Sequence, residues 1–248
     1  MNARAAWRIA KVLLLFAIIA PVHIVTKAVL GRSPWPPRFL AAVARALGAR
    51  VRVVGTPAGR HTLLVANHTS WFDILLLGGF VGSAFVSKDN LGHGLLHWLA
   101  DQNGTIYVKR SHVKGAKDQA LALAKALEAE KPVTVFPEGT TGPGSHLLPF
   151  RSTLLEAANY AAKDVEVRPV AIDYGEAREE FGWFGNEPGK DNVLRLLGRR
   201  GTVPVTIHVL AALNRAGDRK QLTHEARERI AATLGLTSHA HSPIGSGQ

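Results

Sequence analysis

The N-terminal fifty residues contain an apolar run, residues 12–25, with basic residues on both sides and with Pro21 and His23 inside it. It is shorter than the roughly 20 apolar residues that a spanning helix needs, which favours a re-entrant or interfacial helix. Extension to residues 9–30 reaches spanning length. A buried core helix and a cleaved signal peptide are the alternatives, and the second ranks lower because no small-x-small cleavage site follows.

A second apolar segment follows a cluster of prolines. Residues 38–48 place apolar side chains at helical spacing, which predicts a helix. Apolar faces with basic flanks suit the headgroup boundary of a bilayer. We therefore predict that residues 1–48 form a pair of membrane-docking helices.

From residue 51 the pattern changes to short β-rich runs that alternate with helical segments, the clearest helix being residues 112–131. The alternation predicts an α/β fold with a mixed, largely parallel sheet flanked by helices. Pro169 in the sixth run predicts an edge strand or a bulge. We place one domain at residues 49–236 and a disordered tail at residues 237–248. The predicted strands are residues 51–54, 62–66, 84–87, 105–108, 133–136, 165–173 and 203–210.

The composition excludes some kinds of chemistry but does not identify the reaction. The chain has 248 residues and 46% hydrophobic residues, which suits one catalytic domain with a short appendage. A formal charge of +11 predicts attraction to polyanions, whether nucleic acid, an anionic membrane or phosphorylated substrates. Because the chain has no cysteine, disulfides, thiolate nucleophiles and thiolate metal sites are excluded. The loosely spaced histidines predict no metal site.

His68 lies between a predicted strand and a predicted helix, and Asp73 follows it five residues later. Since helical residues are rotated by about 100° each, His68 should precede the helix and Asp73 should lie in its first turn. With Thr69 or Ser70 as N-cap, Asp73 can then accept the imidazole Nδ1–H. This predicts a histidine base that a carboxylate orients. The alternative is a capping box from Ser70 to Asp73 with a structural histidine.

Further candidate binding residues stand at other strand ends. Glu138 and Gly139 follow the fifth strand, where a carboxylate can hydrogen-bond hydroxyls and a glycine allows close backbone approach. Arg110, after the fourth strand, can clamp a phosphate, and Lys88 ends the third. The alternatives are an ordinary turn for the first pair and solvated charges for the second.

Four motifs in this order resemble the glycerolipid acyltransferases, in particular the bacterial 1-acylglycerol-3-phosphate acyltransferases, over roughly residues 51–210. The motifs are Asn67-His68-x4-Asp73, Gly104-x-Ile106-x-Val108-x-Arg110, Phe136-Pro137-Glu138-Gly139-Thr140 and Val167-x-Pro169-Val170. The resemblance implies transfer of a fatty acyl group from acyl-CoA or acyl-carrier protein to the free hydroxyl of a lysophospholipid, 1-acylglycerol-3-phosphate, giving phosphatidic acid. The acyl donor is then a co-substrate, and no cofactor is implied.

In this resemblance His68 is the general base and Asp73 its orienting partner, and residues 49–236 are the acyltransferase domain. The implied location is the bacterial inner membrane, with that domain on the cytoplasmic side and the helix pair docked on membrane lipids. The implied substrate-binding residues are Asn67, Lys88, Arg110, Glu138, Gly139, Thr140 and Arg151.

The acceptor stays open because the sequence departs from the family pattern. Several members continue the third motif with arginine and serine, whereas Thr141 and Gly142 stand here. A related branch acylates lyso-ornithine lipid, which carries no phosphate, and this is the alternative acceptor. The alternative of another class is a non-enzymatic basic module for membranes or nucleic acid. We predict no nucleic-acid partner, since the basic residues are spread along the chain without a nucleic-acid motif. Acyl chain length, donor carrier and oligomeric state stay open.

Overall fold

A seven-stranded sheet lies at the centre of the computed structural model, which describes residues 2–88, 94–108, 115–129, 131–161, 164–214 and 218–236. The strand order is β1-β7-β6-β2-β5-β3-β4, and every neighbouring pair is parallel except β6 and β7. The predicted mixed, largely parallel sheet is therefore confirmed. The strands are β1 (Ala49–Gly55), β2 (Thr62–Ala66), β3 (Ala84–Lys88), β4 (Ile106–Val108), β5 (Val133–Val135), β6 (Glu166–Asp173) and β7 (Val203–Val209).

Helices cover both faces of the sheet. They are α1 (Ala3–Leu30), α2 (Trp35–Ala46), α3 (Phe72–Leu76), α4 (Leu95–Gln102), α5 (Gly115–Leu127), α6 (Ala157–Tyr160), α7 (Arg178–Phe181), α8 (Gly189–Gly198) and α9 (Arg219–Thr233). A π-helical turn, Leu77–Val81, continues α3, and 3-10 turns occupy Thr153–Glu156 and Gly175–Ala177.

The central strand β2 shows why the sheet needs cover on both sides. All five of its residues are buried, as expected for a parallel strand between two helical layers. Leu64 packs into a cluster with residues of α1, α2, α3 and α8, whereas Leu63 packs with residues of α5, α6 and α9. The continuous apolar run in the sequence is thus explained by its central place.

The prediction for Pro169 was wrong. Strand β6 lies inside the sheet, with Val65 of β2 opposite Pro169 and with β7 on the other side. The pairing with β7 begins at Val170, and the Pro169 carbonyl accepts the Leu210 N–H at 3.0 Å, just after β7 ends. The Pro169 nitrogen, which has no hydrogen to donate, therefore lies just outside the segment in which β6 pairs with β7.

The first helix, α1, is longer than the apolar run that predicted it. It has 28 residues and continues through Pro21 to Gly31, whose φ of 68° ends it. By length and composition it is able to cross a membrane. One face packs on the domain through the buried Ala5, Arg8 and His23. The opposite face is apolar and exposed: Trp7, Leu13, Leu14, Ile18, Val22, Ile24, Val25, Val29 and Leu30.

Polar contacts fix α1 to the domain at both ends. Arg8 donates to the carbonyls of Leu196 (3.2 Å), Leu197 (3.0 Å) and Arg199 (3.0 Å), at the C-terminal end of α8. These are carbonyls that a helix end leaves without partners inside the helix. At the other end, His23 Nε2 lies 3.1 Å from Gln102 Oε1, on α4. The helix is therefore held along its length rather than by one end.

Candidate active site

The candidate site lies at one edge of the sheet, where three adjacent parallel strands end. Strand β2 pairs with β6 on one side and with β5 on the other. His68 follows the end of β2, Glu138 follows β5 and Tyr174 follows β6. Because carboxyl ends of parallel strands meet at one edge, the topology brings these three residues together.

His68 and Asp73 form the pair that the sequence predicted. The imidazole Nδ1 lies 2.9 Å from Asp73 Oδ2. Asp73 is in the first turn of α3, although the N-cap is Trp71 rather than Thr69 or Ser70. Asp73 is completely buried, whereas the His68 side chain keeps 16% of its surface exposed. A buried carboxylate thus holds one edge of an imidazole that still reaches the surface.

Asp73 also organises the loop that carries the histidine. Its Oδ2 accepts the backbone N–H groups of Thr69 at 2.8 Å and Ser70 at 2.9 Å. The capping role and the histidine contact therefore occur in the same carboxylate, and the two interpretations of the motif do not exclude each other. The imidazole stacks on Phe136 from the third motif, with ring centroids 3.9 Å apart. The hydrogen bond to Asp73 therefore sets the direction of the His68 imidazole, and stacking on Phe136 sets the plane of its ring.

Tyr174 supplies the other oxygen of Asp73 with a donor. Its hydroxyl lies 2.5 Å from Asp73 Oδ1. Burial raises the pKa of Tyr174 well above its ordinary value, and the Asp73 charge adds to the shift, so the phenol stays protonated and donates.

Both carboxylate oxygens of Glu138 accept hydrogen bonds from backbone N–H groups. One carboxylate oxygen accepts the His68 N–H at 2.7 Å, and the other accepts the Leu148 N–H at 2.9 Å. Burial raises the pKa of Glu138 to about 7, and the two backbone donors oppose this shift. The carboxylate ties the histidine loop to the segment that follows the third motif.

Asn67 makes a comparable connection to β6. Its side-chain amide donates to the Ile172 carbonyl at 3.2 Å, and its amide oxygen accepts the Ile172 N–H at 2.8 Å. The residue is buried, with 3% of its surface exposed. It extends the pairing of β2 with β6 by one residue and places His68 just beyond that pairing.

Comparison with known proteins agrees with this geometry. The acyltransferase family model matches residues 50–173. A lyso-ornithine lipid O-acyltransferase from Rhodobacter capsulatus is 30% identical over 221 residues, which are 84% of this chain and 80% of that protein. Its counterpart from Pseudomonas aeruginosa is 35% identical over 205 residues, 79% of this chain and 76% of that protein. The chain belongs to the acyltransferase family. The resemblance stated from the motifs is confirmed.

One further relative of this acyltransferase and one solved structure of similar fold have names that give another acceptor. A 1-acyl-sn-glycerol-3-phosphate acyltransferase from Neisseria gonorrhoeae is 31% identical over 125 residues, 49% of this chain and 48% of that protein. The crystal structure of the 1-acyl-sn-glycerophosphate acyltransferase from Thermotoga maritima superposes with a TM-score of 0.60 at 23% identity, covering 93% of this chain and 99% of that one. The structural likeness supports the fold.

The remaining predicted binding residues of the acyltransferase divide into two groups. Gly139, with φ of 75°, makes the turn of the third motif, and Thr140 beside it is exposed. Arg151 is also exposed, and its guanidinium lies 3.7 Å from the point where a side chain on Gly139 would begin. The Lys88 side chain and Arg110 lie outside the described residues. The binding roles of all five stay predictions.

The segment that departs from the family pattern is built into the acyltransferase site. The Gly142 N–H donates to the His68 carbonyl at 2.8 Å. The Trp183 N–H donates to both Gly142 and Thr69 carbonyls, at 3.2 and 3.1 Å, and the Thr141 hydroxyl donates to the Trp183 carbonyl at 2.6 Å. The Thr141 hydroxyl therefore supports the loop that carries His68. Among the described residues, no three His, Asp or Glu side chains are grouped to hold a metal ion.

Sequence reasoning missed Tyr174 and Trp183. A signal existed for Tyr174, since it follows a buried strand of the fourth motif and polar groups after such strands meet at one sheet edge. Trp183 gave no signal, because its contribution is a backbone N–H that any residue type carries.

Proposed function

We propose that the protein transfers a fatty acyl group from an acyl thioester to the free hydroxyl of a lysolipid, with His68 as general base and Asp73 as its orienting partner. The observation that carries the proposal is the His68–Asp73 contact of 2.9 Å at the edge where three strands end. Asp73 fixes the tautomer in which Nδ1 carries the proton, so Nε2 is free to accept one from substrate. It also stabilises the imidazolium that forms.

The acceptor hydroxyl donates to His68 Nε2 and loses its proton as its oxygen attacks the thioester carbonyl carbon. The new C–O bond gives a tetrahedral oxyanion, which collapses by breaking the C–S bond. The thiolate leaves with the proton that the imidazolium returns, and ester and free thiol are the products. The donor is acyl-CoA or acyl-carrier protein, as the family resemblance implies, and no other cofactor enters these steps.

For the acceptor we favour lyso-ornithine lipid. Among the proteins similar in sequence, the Rhodobacter and Pseudomonas relatives match three quarters or more of their own length and have this name, whereas the match to the Neisseria 1-acyl-sn-glycerol-3-phosphate acyltransferase spans 48% of that protein. The sequence supports this choice, because Thr141 stands where the family pattern described above has an arginine, and the Thr141 hydroxyl donates to the Trp183 carbonyl. Without that cation a phosphate headgroup loses one bidentate partner.

The second candidate acceptor is 1-acylglycerol-3-phosphate. The exposed guanidinium of Arg151 next to Gly139 supports it, since this cation lies beside the third motif and can pair with a phosphate. Lysolipids of both kinds present a free hydroxyl to the same base.

We also propose that the protein associates with a bilayer through α1 lying in the interface. The exposed apolar stripe of α1 supports contact with lipid, and the bacterial relatives act on lipids by name. The opposite face packs on the domain through Arg8 and His23, so a perpendicular crossing of the membrane would pull the domain into hydrocarbon. The cytoplasmic side of a bacterial inner membrane is the proposed location, because the acyl donors are found there.

The test is an acyl-transfer assay with labelled acyl-CoA and purified protein in lipid vesicles. Acceptors are lyso-ornithine lipid, lysophosphatidate and lysophosphatidylglycerol, and both product and free thiol are measured. We expect thiol release only with acceptor, and the highest kcat/KM with lyso-ornithine lipid. His68→Ala should lower the rate by about 10²- to 10⁴-fold. His224→Ala, a substitution of an exposed histidine, is the matched control and should keep full activity.

Three outcomes would contradict parts of the proposal. Full turnover by His68→Ala removes the base assignment. Thiol release without a lysolipid identifies a thioesterase. Preference for lysophosphatidate selects the second acceptor.

A further inference from the structure

Tyr174 is a buried phenol at the end of β6 that the reaction steps above do not use. It keeps 1% of its surface exposed. Its ring stacks on Phe181 with centroids 4.6 Å apart and an interplanar angle of 21°. The packed ring aims the hydroxyl at Asp73 Oδ1, 2.5 Å away. A buried hydroxyl needs a partner, and this one meets the carboxylate that holds the histidine.

The two oxygens of Asp73 have divided tasks. Oδ2 accepts from His68 Nδ1 and from the backbone N–H groups of Thr69 and Ser70. Oδ1 accepts from Tyr174. Hydrogen-bond donation to one oxygen draws negative charge away from the other, because bonded groups in a buried network polarise one another. The phenol therefore influences how strongly Asp73 stabilises a protonated imidazole.

We propose that Tyr174 is a positioning residue for acyl transfer, the third member of a chain that runs from His68 through Asp73 to the phenol. The inference rests on the proposed function, in which His68 is the base. Tyr174 acts in two ways: it holds the Asp73 carboxylate in the plane that meets Nδ1, and it limits the charge on Oδ2. Its side chain is buried and its hydroxyl is bonded to Asp73, so its influence on the reaction passes through Asp73.

The first test is Tyr174→Phe, with Tyr160→Phe as the matched control because Tyr160 is 41% exposed. The Phe variant keeps the ring and removes the donor, which leaves a buried carboxylate oxygen without its partner. We expect kcat to fall about tenfold or more, with both KM values within about twofold of wild type. The acidic limb of the kcat/KM–pH profile should move to higher pH, because the more concentrated charge on Oδ2 favours the imidazolium. Tyr160→Phe should match wild type.

A second variant separates the hydrogen bond from packing. The chain has three tyrosines, so a Tyr107→Phe, Tyr160→Phe protein grown with 3-fluorotyrosine carries the label at position 174 alone. The fluorinated phenol is a stronger donor of nearly the same shape, so the labelled protein keeps its fold even if Tyr174→Phe does not. We expect its acidic limb to move to lower pH, opposite to the Phe variant.

The results distinguish this assignment from the proposed function. If the acidic limb of the fluorinated protein stays where it is, or if Tyr174→Phe keeps wild-type kcat and profile while His68→Ala is inactive, Tyr174 is only a packing residue. If His68→Ala itself keeps full turnover, the proposed function fails whatever Tyr174 does.

Discussion

Replacing Glu138 with glutamine distinguishes two roles for this carboxylate. The sequence motif predicts that it binds hydroxyls of the acceptor. In the structure its two oxygens accept the N–H groups of His68 and Leu148, at 2.7 and 2.9 Å. Glutamine keeps one acceptor oxygen and places an NH2 group opposite the second backbone donor. The substitution therefore breaks one of the two bonds and sets donor against donor.

The magnitude follows from burial. Leaving a buried backbone N–H without its acceptor costs about 1–3 kcal/mol. Because Glu138 is 5% exposed, water offers little compensation. If that energy is expressed as displacement of the His68 loop, kcat falls about tenfold to a hundredfold. The KM for the acceptor should stay unchanged, since both carboxylate oxygens are already engaged by backbone donors.

A pH dependence accompanies this prediction. Burial raises the pKa of Glu138 from its ordinary value of 4.5 to about 7. Between these two pH values the folded protein holds more protons than the unfolded chain, so the free energy of unfolding falls as pH rises through this window. The loss from this group is about 3 kcal/mol. Glutamine does not titrate, so the variant should lack this part of the slope.

Two measurements test this. Steady-state kinetics give kcat and KM, and urea unfolding, monitored by tryptophan fluorescence at pH 5 and at pH 8, gives the free energy of unfolding. Glu176→Gln, at an exposed glutamate, is the control and should resemble wild type in both. A raised acceptor KM with unchanged kcat would refute the positioning role and restore the acceptor-binding role. If Glu138→Gln and wild type show the same change in the free energy of unfolding between pH 5 and pH 8, the argument from burial is refuted.

Three other variants test the supports of the site and the membrane surface. Arg8→Met should lower the free energy of unfolding by about 3 kcal/mol, because its guanidinium donates to three carbonyls at the end of α8, and thermal unfolding measures this. Asn67→Leu should cost about 2 kcal/mol in urea unfolding, since it leaves both backbone groups of its β6 partner unpaired. Ile18→Glu combined with Val25→Glu should abolish sedimentation with anionic vesicles, whereas Leu121→Glu on α5 should not; equal sedimentation of the two would exclude the α1 stripe as the lipid contact.

The sheet could be predicted because its signal is local. Strands such as β2 are continuous apolar runs between turn residues, and the run at residues 62–66 matches the observed Thr62–Ala66. The contact of His68 with Asp73 was predictable for the same reason, since a strand end, a short loop and the first helical turn fix their distance. α1 was predicted too short because Pro21 was taken as an interruption, whereas packing on both sides of it stabilises a continuous helix.

The partners of buried polar groups could not be predicted, because they are distant in sequence. The Asn67 side chain donates to the backbone carbonyl of Ile172, and the Glu138 carboxylate accepts the backbone N–H of His68. Every residue type has these backbone groups, so the sequence does not indicate which of them a side chain will contact. Motif reasoning assigned both side chains to substrate binding, since a polar residue in a motif suggests a ligand when the fold is unknown. The location of Tyr174 depended on knowing that β6 lies beside β2.

The contacts between α1 and the end of α8 have a consequence for how the enzyme meets its substrate. Asn2, Arg4 and Arg8 all donate to carbonyls between residues 196 and 199, so the first two turns of α1 move with the domain as one piece. With α1 in the membrane interface, as proposed, no flexible tether separates the bilayer from His68. The height of the base above the hydrocarbon is then a fixed dimension of the protein. Lysolipids whose hydroxyls lie at different depths would be sorted by that height before any headgroup is recognised.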